Sequence, residues 1–105
     1  MRAIDPISMC NSAQEACQLV KVLSNPDRLL LLCQLISSEK SVGELEAVTG
    51  ILQPTLSQQL GILRKKALVS SRRGNRNSIY YRITSRPAIE VIRTIFPGIQ
   101  HADPQ

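Results

Sequence analysis

Helix-start and turn signals interrupt this chain at short intervals, and that punctuation constrains its fold more than any other feature. Ser12-Ala13-Gln14-Glu15 and Ser41-Val42-Gly43-Glu44 both have the S-x-x-E form of a capping box, in which hydroxyl and carboxylate satisfy the first free N–H groups of a helix. Asn25-Pro26-Asp27 supplies a cap, a first-turn proline and an acid at the positive end of a helix dipole, and Pro54 suits the first position of another helix. Ser24-Asn25-Pro26, Gly50, Gly74-Asn75-Arg76-Asn77 and Pro97-Gly98 are stops or turns. No internal repeat, low-complexity stretch or linker divides the chain, so residues 1–105 are expected to form one domain, with 1–10 and 99–105 as loose termini.

Periodicity assigns the pieces. Ala13, Ala16, Cys17, Val20 and Leu23 recur at three- and four-residue spacing, predicting a first helix with one buried stripe. The second, with Leu29 to Leu32, Cys33, Leu35 and Ile36, is apolar nearly all round and belongs in the core. Ser37 to Lys40 reads as a loop, and a short helix then carries Val42, Leu45 and Val48 to Gly50. From Pro54, Leu56, Leu60, Leu63 and Ala67 form an inward face, while Thr55, Gln58, Gly61 and Lys65, with Ser57 at the edge, leave the opposite face small and polar. Residues 68–73 and 78–83 are two β-prone runs about a turn, and a last helix aligns Ile89, Ile92, Ile95 and Phe96. The predicted fold is mainly α with a β-hairpin, in the order α-α-α-α-β-β-α: a winged helix-turn-helix.

Charge says which part meets a partner. Residues 1–63 carry four basic and six acidic side chains, whereas residues 64–105 carry nine and two. Between Arg64 and Arg86 lie eight Lys or Arg and no acid, which favours a polyanion. With only three aromatics, Phe96, Tyr80 and Tyr81, the chain lacks a stacking platform for single strands, which argues against RRM or OB-type binding. A slim polar helix can instead enter a major groove of duplex DNA, with Gln53, Thr55, Ser57 and Gln58 as candidate base readers. Arg64, Lys65 and Lys66 at the far end of that helix, and Arg72, Arg73 and Arg76 on the hairpin, are candidate contacts to phosphates or a minor groove. Arg82 and Arg86 are expected only to flank the hairpin or pair with acids. A protein-interaction winged helix would not need this basic wing.

Ser41-Val42-Gly43-Glu44-Leu45, Gln53-Pro54-Thr55-Leu56-Ser57-Gln58-Gln59-Leu60, Leu63-Arg64 and the Arg72-to-Tyr81 wing resemble the ArsR/SmtB family of dimeric bacterial repressors over roughly residues 12–96. Within it, Asn25 to Leu35 is similar to the BigR, SqrR and HlyU subgroup, whose members sense persulfides or oxidants. The resemblance implies a homodimer paired through the first and last helices, operator DNA covered at two half-sites, and signal-driven release. It also implies that Cys33 is the sensing thiol. The subgroup's second thiol, near the end of the last helix, has no counterpart in Thr94-Ile95-Phe96-Pro97-Gly98; Cys17 or Cys10 is the candidate substitute, from the same or the other subunit. Two other readings stay open: Cys33 as plain core, and a thiolate site for arsenite built from Cys10, Cys17 and Cys33.

The family's metal sites need a Cys-x-Cys in the third helix or Asp, His and Glu pairs in the last helices. Here the third helix lacks cysteine, the last offers only Glu90, and the lone His101 lies in the tail, so no metal or other cofactor is expected. An enzyme is not expected either, for want of a His within the domain, a Gly-rich phosphate loop or a spaced acid pair; a thiol oxidoreductase is its least bad form. No 18-residue apolar run and no signal-peptide succession occurs, and three cysteines without a C-x-x-C pair suit a reducing compartment, so the expected location is cytoplasmic and away from membranes.

Overall fold

The computed structural model describes residues 6–99, with side chains from Ser12 onward. Five helices and three strands follow in the order α1 Pro6–Leu23, α2 Pro26–Ser37, β1 Lys40–Ser41, α3 Val42–Thr49, α4 Thr55–Lys65, β2 Val69–Arg73, β3 Ile79–Ile83 and α5 Arg86–Ile95. This is the expected winged helix-turn-helix, with one added strand. Two of the local start signals act as expected. The Asn25 side chain accepts the Arg28 backbone N–H at 3.1 Å, and Ser41 and Glu44 complete a reciprocal capping box at the start of α3. Gly50 closes α3 in the left-handed conformation that glycine takes without a Cβ penalty.

The first helix departs from expectation. It begins at Pro6, so residues 6–10 are helical and not a loose arm, and Ser12 lies inside the helix instead of capping it. Pro6 fits the start, because a proline's missing N–H costs nothing there. The stripe divides as well: Leu19, Val22 and Leu23 pack on the core, but Ala13, Ala16, Cys17 and Val20 are exposed. Ile99, expected to be loose, instead packs against the core and donates its N–H to Phe96 O at 3.0 Å; residues 1–5 and 100–105, also expected to be loose, and with them His101, lie outside the described residues.

Lys40 and Ser41, expected at the end of a loop, form β1 and pair antiparallel with Tyr81 and Tyr80, so the sheet order is β1-β3-β2. Ala67, expected to face inward, is exposed with φ 64°. The cause is the end of α4. Leu68 N–H donates to Leu63 O and Ala67 N–H to Arg64 O, the Schellman pattern, which turns the chain at Ala67 and buries Leu68 in its place.

The core is aliphatic: Leu31, Leu32, Leu35 and Ile36 from α2, Leu45 from α3, Leu56, Leu60 and Leu63 from α4, with Val69 and Ile92, are all buried. Burying such side chains stabilises by about 1.5–3 kcal/mol each. The core fixes which face of α4 points out. Among the described residues, no helix is long and apolar enough to cross a membrane.

Candidate nucleic-acid interface

Because Leu56, Leu60 and Leu63 are buried, helical geometry turns Thr55, Ser57, Gln58, Gly61 and Lys65 to solvent, and all are exposed. Among the described residues, a Cβ at Gly61 would meet no packed neighbour within 4 Å, so the middle of this face is slim and open. Gln53 is exposed but partly engaged: its Oε1 accepts the Ser57 N–H at 3.1 Å, capping the first turn and leaving the amide NH2 free. Gln59 lies at the edge, half-buried, and its carbonyl is held by Arg28.

The cations fall on α4 and the wing. At the end of α4, the Arg64 Nη1 donates to Ser71 Oγ at 3.3 Å, joining helix to hairpin, while Lys65 and Lys66 are exposed. Val69 to Arg73 pairs residue by residue with Ile83 to Ile79, and the turn between them is a tight one over Asn75–Asn77. Arg76 stands exposed at its tip with φ 59°, and Arg73 donates to Asn77 Oδ1 at 3.3 Å. Tyr80 closes over the turn; a Cβ at Gly74 would collide with its ring.

Arg72 is placed differently from its neighbours. Its Nε and Nη2 donate to the two carboxylate oxygens of Glu39 at 2.8 and 2.6 Å, and the guanidinium lies 4.8 Å from the Tyr80 ring centroid. The wing segment has no acid of its own, and Glu39 reaches it from the residue before β1. Sequence reasoning passed over Glu39 because it read residues 37–40 as loop. Arg82, expected to flank the hairpin, donates to Ser70 Oγ at 3.3 Å.

Cys33 is half-buried against the core, and burial pushes its thiol above the usual value of 9.0. Cys17 is exposed. Cys10 lies in the early turns of α1, where side chains fall outside those described. Among the described residues, no three His, Cys, Asp or Glu side chains converge as a metal site would require.

Residues 25–71, from the cap of α2 through β2, match the model of the bacterial regulatory protein arsR family. A relative from Xylella fastidiosa, the biofilm growth-associated repressor, is 49% identical over 84 residues, 80% of this chain and 73% of that protein. The chain belongs to the arsR family. The crystal structure of the transcriptional repressor BigR from Xylella fastidiosa superposes with a TM-score of 0.79 at 46% identity, covering 89% of this chain and 97% of that one. The homodimeric winged helix-turn-helix DNA-binding domain of a possible ArsR-family regulator from Mycobacterium bovis, solved in solution, is similar at TM-score 0.71 and 25% identity, over 90% and 86% of the two chains. The matched region holds α2, α3 and α4 and ends within β2, before the turn and β3 of the wing; this ArsR-family chain is a transcriptional regulator.

Proposed function

We propose that this chain is a homodimeric, sequence-specific repressor that grips operator DNA when reduced and lets go when a thiol-reactive signal modifies Cys33. The observation that carries the DNA half is the exposed polar face of α4, Thr55, Ser57 and Gln58, set beside the exposed cations Lys65, Arg73 and Arg76 and joined to the wing through Arg64. Gln and Ser side chains read base edges in a major groove; long cations bind phosphates and carry affinity without sequence information. Gln53 contributes through its amide NH2, since its Oε1 is taken by the Ser57 N–H. A dimer places two copies of α4 about one helical turn apart on DNA.

The signal half rests on Cys33 and the likeness to BigR. The Cys33 thiolate attacks the outer sulfur of a persulfide, R–S–SH, forming Cys33–S–SH and releasing RS⁻. A second thiolate, from Cys17 or Cys10, then attacks the Cys33 sulfur, forming a disulfide and releasing HS⁻. Burial of Cys33 disfavours its thiolate, which slows the first step and makes it quicken as pH rises.

Anisotropy of a labelled duplex from the gene's own promoter region tests both halves, using reduced protein, polysulfide-treated protein and Cys33→Ser. Reduced protein should bind with log affinity falling steeply with log salt, polysulfide should release it, and Cys33→Ser should bind yet ignore polysulfide. A flat salt response would sink the DNA reading. Tight binding indifferent to polysulfide would make Cys33 core alone.

A further inference from the structure

Glu39 holds the two guanidinium N–H groups of Arg72 that a DNA phosphate would take. A bidentate fork-to-fork pair with a carboxylate has the same donor geometry as one with a phosphate, so the two oxyanions compete for one site. The competitor comes from elsewhere in the chain, 33 residues earlier in sequence, and is delivered to the wing by the pairing of β1 with β3. The pair is not sealed away: the Arg72 side chain is 57% exposed and that of Glu39 30%. It borders a solvent-open hollow of about 420 Å³ lined by Glu39, Ser70, Ser71, Arg72 and Arg82, with room for a phosphate beside two guanidinium groups. The Arg72 guanidinium also lies over the ring of Tyr80, itself lodged against Gly74, a second hold that does not involve Glu39.

We propose that Glu39 is an internal competitor for the DNA backbone, and that binding through Arg72 exchanges a carboxylate for a phosphate. This rests on the reading of α4 and the wing as a DNA-binding face. Glu39 thereby lowers affinity for every sequence alike and leaves discrimination to α4, because a phosphate contact carries no base information. The carboxylate is well suited to the role, since Arg72 holds it ionised below the ordinary glutamate value of 4.5, with Arg82 adding to the field.

The test is a double-mutant cycle in DNA binding, with parent, Glu39→Gln, Arg72→Ala and the double variant titrated on operator and random duplexes across a salt series. Glu39→Gln should tighten both duplexes about two- to fivefold, the range that an exposed ion pair is worth, and should steepen the log–log salt slope by about one. In the Arg72→Ala background the gain should vanish. An equal gain in both backgrounds would reduce Glu39 to a general negative charge, and a loss of affinity would make the pair a brace for the wing; either overturns the proposal. A parent protein that binds without salt dependence would instead refute the DNA reading itself, so the two failures are distinct. Thermal melts of all four proteins check folding, which an exposed pair should hardly change.

Discussion

Gly61 sits in the middle of α4, where alanine would be the better helix former. Among the described residues no packed neighbour approaches the place where its Cβ would lie, so internal packing does not explain it, whereas the proposed docking of α4 against DNA would. Gly61→Ala should therefore stabilise the fold by about 0.5–1 kcal/mol in chemical denaturation and weaken operator binding. Gains in both would show that nothing docks tightly against that turn. Cys33 gives a second residue-level expectation. Since burial raises its thiol above 9.0, alkylation mapped by mass spectrometry should keep accelerating past that pH, while exposed Cys17 labels faster near neutrality. The same sign governs stability: what the neutral buried thiol contributes is whole below the unfolded-state value and is lost as pH climbs through the raised one. Full labelling of Cys33 at neutral pH would contradict its burial. The Asn25 cap and the Ser41 box were legible because each closes within three residues, whereas Arg72 and Glu39 meet only after the sheet forms.

Helices α1, α2 and α4 are tied together by one side chain that sequence reading passed over. Arg28, in the first turn of α2, donates from Nε to Val22 O at 2.8 Å, from Nη2 to Lys21 O at 3.4 Å and from Nη1 to Gln59 Oε1 at 3.1 Å. It thus satisfies the Val22 carbonyl at the end of α1, adds a donor to the Lys21 carbonyl that Ser24 already holds, and links both to the helix proposed to read DNA. Arg28→Ala should cost about 1–3 kcal/mol in urea unfolding at matched protein concentration, and Gln59→Ala less, because the α1 carbonyls then keep their donor. An Arg28→Ala protein with an unchanged midpoint would remove the clamp from the account. Element by element, long periodic segments were legible and their ends less so. Strand β1 escaped because two residues carry no alternation to read; they are strand only because β3 lies alongside. The start of α1 is hard to read because Ser12-x-x-Glu15 has the form of a capping box inside the helix, although Asp5-Pro6 is itself a helix-start signal. Ala67 followed the apolar period of α4 beyond the point where a left-handed turn ends it.

At the scale of the molecule, the terminal helices carry apolar surface that the other described residues do not cover. Val20 on α1 is 62% exposed, and beyond the buried Ala88 and Ile92 of α5, Ile95 and Phe96 are 53% and 41% exposed. The stripes on these helices were legible as amphipathic, but periodicity states only that a face is apolar, not which surface meets it. A second copy is the partner in the proposed function, and the homodimeric domain from Mycobacterium bovis to which this chain is similar supports it. Changing Ile95→Ser together with Phe96→Ser should leave the fold of each subunit intact, because both side chains lie outside its core, while sedimentation at micromolar concentration shifts from dimer to monomer. No charge is added, so any effect on DNA binding reads the loss of the second subunit. On a duplex with two half-sites the salt slope should fall toward half, since a lone subunit neutralises half as many phosphates, and affinity should fall with it. A variant that stays dimeric with the parent's slope would place the subunit contact elsewhere on the molecule.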